Sequence, residues 1–272
     1  MPETCHLCRK QHAKLSYEHT PPRSAFNSER LTVYGVEDWL RFSETGEWSG
    51  GRIEQRGAGG QVLCEDCNNK TGSWYGNELR VAANSGARIL RESPLDEFDG
   101  LLEHRWASVK FTQSETGPHP LRFIKQVVTM LLATSPVELS LAYPELGDFV
   151  LDKERSGLPD RFRFYLSLFA GPIARSTGVA GRMRLTPRRL DTLVEVAFPP
   201  YAYLMTIDSE PDAVESEEIT SFVDLTYDNK ANVELSLLVG FGHTMYPADY
   251  RTKAMLERDV AANEAAAAEP ES

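Results

Sequence analysis

Two Cys-x-x-Cys pairs, Cys5/Cys8 and Cys64/Cys67, constrain the fold of this chain more than any other feature, and they account for all four of its cysteines. A two-residue gap lets both sulfurs of a pair reach one tetrahedral ion, so two pairs supply the four thiolates of a closed structural zinc site. Four cysteines in 272 residues are too few for a disulfide scaffold. Four unrelated buried cysteines would not fall into the same short spacing twice. The N-terminal part is therefore expected to fold around Zn²⁺, the metal standing in for core that a short segment cannot build. His6 and His12 flank the first pair as competing ligands, but the four thiolates already close a site.

The character of the sequence changes along the chain. Residues 1–91 are dense in Cys, His, Gly, Trp and Asn with weak hydrophobic periodicity, which marks them as the zinc-binding module. A Gly-, Glu- and Trp-containing stretch at about 25–61 interrupts that module as an inserted loop or hairpin. Further on, Leu121, Ile124, Val128, Leu131 and Leu132 share one face at helical spacing, with Arg122, Lys125 and Thr129 opposite, which predicts an amphipathic helix. Phe162, Phe164, Leu166 and Leu168 alternate with Arg161, Arg163, Tyr165 and Ser167 as in a strand, and strand-like runs recur at 192–198, 201–207, 222–227 and 233–239. Pro199-Pro200 separates two of these runs as a turn. No regular strand–helix alternation is visible, so residues 92–255 read as a mixed, largely antiparallel α+β domain. Residues 256–272, rich in Ala and Glu and without large apolar side chains, read as a flexible acidic tail.

The formal net charge of −11 argues against a nucleic-acid partner, because binding a duplex means neutralising phosphates with Lys and Arg. Its distribution weakens that objection. Residues 1–90 carry 11 basic and 11 acidic side chains, while the remaining 182 residues carry 18 and 29. All the net acidity therefore lies outside the metal-binding part. Neither a membrane-spanning apolar run nor a secretory leader is visible, and the expected location is the cytoplasm.

What surrounds the cysteines narrows the chemistry. Tyr17-Glu18-His19-Thr20-Pro21-Pro22 follows the first pair, and the second pair runs directly into Asn68, with Gly72 four residues beyond. This arrangement resembles the HNH endonuclease superfamily, most closely the four-cysteine branch that includes phage recombination endonucleases. In that branch an acidic residue and a His stand side by side after the first Cys pair, an Asn directly follows the last Cys, and a Gly comes a few residues later. Glu18-His19, Asn68 and Gly72 match in order, over roughly residues 3–76. The resemblance implies a zinc-stapled ββα-metal module that hydrolyses nucleic acid phosphodiesters, with DNA the expected substrate and bacterial defence or mobile elements the expected setting. It also implies roles. His19 is the expected general base; Glu18 and Asn68 are expected oxygen ligands of a catalytic Mg²⁺ or Mn²⁺; Cys5, Cys8, Cys64 and Cys67 hold the structural zinc.

The residue types suit that reaction. Hydrolysis needs a water deprotonated near neutral pH, for which an imidazole is fitted, and hard oxygen ligands for a divalent ion that meets the phosphate. Each residue also has a plain structural use: an exposed carboxylate at 18, a hydrogen-bonded histidine at 19, a helix cap at 68. Three departures from the resembled pattern stand out. Residues 9–63 form a long spacer, the acid is Glu where Asp is commoner, and the central Asn of the HNH signature has no counterpart in Gly59-Gly60-Gln61 before Cys64. A non-catalytic zinc module that recognises nucleic acid or protein, and a nuclease effector licensed by a small anionic ligand, are the alternatives.

Two further features carry expectations. Trp74 and Tyr75 follow Gly72 and are expected to be core contacts. From Arg161 to Leu190 there are seven arginines and no Lys, Asp or Glu. Arg182, Arg184, Arg188 and Arg189 are its densest part and form a candidate surface for substrate, or for an anionic effector or protein partner. The competing reading is a solvated sheet face whose acidic partners come from elsewhere in the chain. His104, His119 and His243 are isolated in sequence and carry no assigned role.

Overall fold

The N-terminal segment is built from very short strands. The pair β1 (Glu3–Thr4) and β2 (Gln11–His12) flanks the first Cys turn, and β3 (Ser16–His19) follows. A 3-10 turn at Arg23–Ala25 leads to β4 (Leu31–Val33), α1 (Val36–Thr45) and β5 (Arg52–Glu54); then come β6 (Gly59–Leu63) and the long helix α2 (Glu65–Glu92). Strand β3 pairs antiparallel with β6, and β4 with β5. The inserted stretch thus carries more regular structure than a loop, with a helix at the tip of its hairpin. This computed structural model describes residues 2–45, 47, 50–92, 106–111, 118–170, 174–185, 188–211, 214, 216–230 and 233–241. The acidic tail, His104 and His243 lie outside the described residues.

Helix α2 opens with Glu65 and Asp66, acids placed favourably at the positive end of a helix dipole. Cys67, Thr71, Tyr75, Leu79 and Ala83 are buried at four-residue intervals, with Glu78 and Ala82 buried beside them, so one face turns inward. Tyr75 is fully buried and donates its hydroxyl to the carbonyl of Val150 at 2.8 Å, and Trp74 packs on the same cluster, so both are core contacts. Gly86 has a packing reason: a Cβ there would sit 2.7 Å from the Tyr201 ring.

The C-terminal segment runs through β7 (Trp106–Phe111), α3 (Pro120–Thr134), α4 (Val137–Ala142), α5 (Pro144–Leu151), β8 (Phe162–Ala170), β9 (Arg175–Leu185), β10 (Arg188–Phe198), β11 (Tyr201–Ile207), β12 (Glu217–Glu218) and β13 (Val233–Phe241). The strands form one sheet in the order β7-β13-β8-β11-β10-β9, with β12 on the side of β8. All its pairings are antiparallel except β13 with β8, so the architecture is α+β, with a largely antiparallel sheet.

Two expectations fail here. The strand-like run at 222–227 is instead a 3-10 turn at Thr220–Asp224: the Phe222 N–H donates back to the Ile219 carbonyl at 3.0 Å rather than across to a strand, and Phe222 and Val223 are both buried against the core. Helix α3 is not amphipathic in its setting. Lys125 and Thr129 are as fully buried as Leu121 and Val128, because α2, α5 and the Thr220–Asp224 turn cover the face that a helix on an open sheet would expose. Lys125 survives there by donating its ammonium to the carbonyls of Asp152 (2.5 Å) and Lys153 (3.1 Å).

One hydrophobic cluster joins both segments, from Cys5 and Leu7 through Tyr75, Leu79 and Val128 to Tyr203 and Leu237.

Candidate metal centre and active-site cleft

The two Cys turns meet because β6 delivers Cys64 beside the first turn while α2 begins there and carries Cys67. The ligand atoms of Cys5, Cys8, Cys64 and Cys67 all lie within 4.8 Å of one another. A tetrahedral ion with metal–sulfur bonds of about 2.3 Å holds its sulfurs about 3.8 Å apart. The Sγ atoms of Cys8 and Cys64 are 3.9 Å apart, and the backbone N–H of Cys64 donates to Cys5 Sγ at 3.2 Å. The hydrogen bond from Cys67 draws the Cys5 thiol well below its ordinary pKa, and the same contact pushes Cys67 up. Four crowded thiols that ionise at one another's expense are the chemistry of a site built for a cation, and these cysteines are placed to hold a structural metal such as zinc. His6 is turned away, its Nδ1 3.0 Å from the carbonyl of Leu132. His12 stays outside the cluster, with Nε2 3.6 Å from Cys8 Sγ.

The end of β3 and the start of α2 border a cleft of about 440 Å³, lined among others by Glu18, His19, Arg23, Asn68 and Gln126. Glu18 is only 7% exposed, so the plain reading of it as a surface carboxylate fails. Burial pushes its carboxyl up to about 7, which leaves an acid poised to ionise when a cation approaches. His19 ends β3, and its Nε2 lies 3.0 Å from the carbonyl of Arg56. A carbonyl can only accept, so Nε2 carries the proton and the lone pair sits on Nδ1. Burial first, and then the Arg23 guanidinium, lower the pKa of this imidazole, which favours its neutral form.

Asn68 does not cap α2. Its Nδ2 donates to Ser16 Oγ (3.1 Å) and to the Tyr17 carbonyl (3.0 Å), tying the first turns of α2 to β3 and leaving Oδ1 for other partners. A residue without any motif does similar work on the far side of His19. Asn27, fully buried, donates to the carbonyls of Pro21 (2.7 Å) and Ala58 (2.8 Å) and accepts from the Ala58 N–H (2.7 Å). It locks the chain leaving β3 onto the chain entering β6. Two glycines make that closeness feasible. A Cβ on Gly57, whose φ is +95°, would lie 2.2 Å from the Asn27 carbonyl oxygen, and one on Gly59 would lie 2.1 Å from that of Glu18. These glycines were the one sequence trace of Asn27.

Sequence reasoning also missed Arg23, Arg80 and Gln126 as cleft residues, since nothing in their spacing relates them to Glu18 or His19. His119 is a structural link: its Nδ1 and backbone N–H meet the Glu78 carboxylate at 3.2 and 2.8 Å, joining α2 to the start of α3.

The arginine-rich segment divides. Arg161 pairs with Asp208 (3.0 Å), Arg163 with Glu218 (3.0 Å) and Arg175 with Glu195 (3.7 Å), so distant acids balance these three. Arg182, Arg184, Arg188 and Arg189 sit where β9 and β10 meet as a hairpin, Arg184 opposite Arg189, and their side chains lie outside the described residues. Among the described residues no helix is long and apolar enough to cross a membrane. Compared with family models, curated proteins and solved structures, the chain matches none.

Proposed function

We propose that this chain is a metal-dependent endonuclease of HNH type that hydrolyses phosphodiester bonds in nucleic acid, with DNA the expected substrate. The observation that carries the reading is convergence. Glu18 and His19 at the end of β3, and Asn68 at the start of α2, line one cleft beside the four-thiol site. The antiparallel pair β3–β6 followed by α2 has the ββα order of that module, and Asn27 offers the central Asn that the stretch before Cys64 lacks.

In this reading zinc holds the four thiolates and is scaffold. The Glu18 carboxylate and the Asn68 Oδ1 are hard oxygen donors that fit Mg²⁺ or Mn²⁺, and such an ion, when bound, offsets charge on the phosphate and the leaving oxygen. The work of the chain itself falls to His19. Its Nδ1 takes the proton of a water whose oxygen bonds to phosphorus, and the P–O ester bond opposite breaks, its electron pair going to the leaving oxygen. The Arg56 carbonyl holds the imidazole in the tautomer this requires and steadies the imidazolium that forms. Asn27 and Asn68 keep the strand in place.

The test is cleavage of plasmid and of single- and double-stranded oligonucleotides by the pure protein with Mg²⁺, Mn²⁺ or EDTA. Cleavage should require the added divalent ion, and His19→Ala should lower it roughly a hundredfold or more with zinc content and folding intact. Wild-type cleavage by that variant removes His19 from the mechanism. No cleavage under any condition leaves the non-catalytic zinc module as the better reading.

A further inference from the structure

We propose that the cleft-facing side of α2 is a track for one nucleic acid strand with unpaired bases, and that Gln126 of α3 accepts a hydrogen bond from that strand. The proposal rests on the reading of the cleft as a nucleic acid site and names the form of substrate it takes.

The first observation is the helix face. Asn68, Gly72, Gly76 and Arg80 follow one another at four-residue intervals, share one side of α2 and all line the cleft. At 1.5 Å per residue the row is about 18 Å long. That length is enough to follow a few nucleotides of one strand. Glycine inside a helix is unfavourable relative to alanine, and neither glycine has a reason to be there within the fold. A Cβ on Gly72 or on Gly76 would meet nothing within 4 Å. Missing side chains that make room for no protein atom make room in the cleft, where a polynucleotide backbone could lie against the helix. Arg80 stands at the far end of the row from the Glu18–His19 doublet. Asn77 Oδ1 orients its guanidinium at 2.7 and 3.2 Å, leaving other N–H groups for a phosphate.

The second observation is independent of α2. Gln126 of α3 lines the same cleft, is 1% exposed, and its Oε1 has no hydrogen-bond partner among the described residues. A buried amide oxygen without a donor is costly, and an unmet acceptor in a cleft wall implies a ligand that brings one. Phosphate oxygens cannot, since they only accept. The donors on a nucleic acid are base N–H groups and, in RNA, the ribose 2′-hydroxyl. A side chain this buried in a cleft wall cannot reach into the groove of a duplex, so the base must come to it, which requires an unpaired strand.

Binding is read by fluorescence anisotropy with the full-length, zinc-loaded chain carrying His19→Ala, against a 12-nucleotide DNA strand, its RNA equivalent and the DNA as a blunt duplex. The single strands should bind at least about tenfold tighter than the duplex. In the same background Gly76→Leu should abolish strand binding while leaving Tm unchanged or higher, because it fills the track and improves the helix. Gln126→Met should weaken strand binding up to roughly tenfold without lowering Tm, since it removes an unpaired polar atom. Equal affinity for duplex, or no response to either substitution, overturns the track. A lowered Tm in Gln126→Met makes Gln126 part of the fold and overturns its role. Cleavage by the otherwise wild-type protein separates the two readings. Metal-dependent cleavage that survives Gly76→Leu keeps the nuclease and discards the track. Strand binding that depends on Gln126, in a protein that never cleaves, does the reverse.

Discussion

The two segments of this chain solve the same problem by different means. Residues 118–241 build a core in the ordinary way, from strands of up to 11 residues, a helix buried on nearly every side, and apolar side chains on both faces of the sheet. Residues 2–67 have strands of two to five residues and, among the described side chains, few large buried apolar groups, and depend on four thiols and on side-chain clamps such as Asn27. Their buried polar groups differ in the same sense. Lys125 is spent on the carbonyls of Asp152 and Lys153, inside the fold. Glu18 and His19 face a cleft, and their shifted pKa values come mainly from burial rather than from a committed ion pair. A large core can absorb a charge; a small layer built around four thiols can present one.

The contrast is not independence, for the first Cys turn is clamped to the helices of the other segment. Arg9 donates to the carbonyl of Pro144 at 3.1 Å and pairs with Asp148 at 2.5 Å, and a Cβ on Gly147 would lie 2.4 Å from its Nη1. The strongest test of the comparison is therefore removal of a metal ligand. Cys64→Ser should release the zinc, whose binding to short Cys-rich units is worth roughly 10 kcal/mol or more. Hydrogen exchange should then show lost protection in β3, β6 and the start of α2, with β8, β10 and β11 still protected. If the sheet loses protection together with β3 and β6, the two segments are one cooperative unit and the comparison breaks.

A second test concerns where substrate affinity resides. The four-cysteine segment has balanced charge, so it brings little non-specific attraction for phosphates. Changing Arg182, Arg184, Arg188 and Arg189 to Ala should weaken nucleic acid binding and flatten its salt dependence by up to about four in log–log slope, with the metal requirement of cleavage unchanged. If DNA affinity is kept but activation by a soluble anion is lost, the hairpin binds an effector. If affinity, salt slope and activity are all unchanged, the four arginines are solvated like ordinary surface residues.

The smallest expected effect sharpens the account of the larger core. Burial lowers the Lys125 ammonium to about 8, so the folded chain releases a proton that the unfolded chain holds to about 10.5. The unfolded state then binds more protons between those values, and stability should rise with pH from about 8 to 9.5, by up to about 2 kcal/mol. Above that window the buried tyrosines act in the opposite direction, since Tyr75 and Tyr203 hold their protons longer when folded. Denaturant melts of the wild type and Lys125→Met at pH 7.5 and 9.5 measure this. An unchanged slope in the variant would move the effect elsewhere.

Much of the architecture was legible before any coordinates. The alternation from Phe162 to Leu168 is a strand with Phe162, Phe164, Leu166 and Leu168 in the main cluster, and Leu121 to Leu132 is a helix. Both patterns reflect local backbone periods. The misreadings are where burial overrides the local pattern: Lys125 and Thr129 look like a solvent face until three other elements cover them, and residues 222–227 have strand-forming side chains but pack as a turn.

The candidate site divides along the same line. The sequence by itself determined the groups that chemistry forces to be near neighbours: paired thiols two residues apart, an acid beside a histidine, and an Asn directly after the last Cys. Such groups are read from spacing because the chain holds them together whatever else it does. Only the tertiary structure decided that Asn27 locks β3 to β6 across 31 residues, that Glu18 is buried while remaining on the cleft, and that Gln126 of α3 and Arg80 of α2 complete its lining. Those placements follow from long-range packing, in which α2 is fixed by the four-thiol corner at one end and by α3 along its length, and no local period in the sequence encodes them.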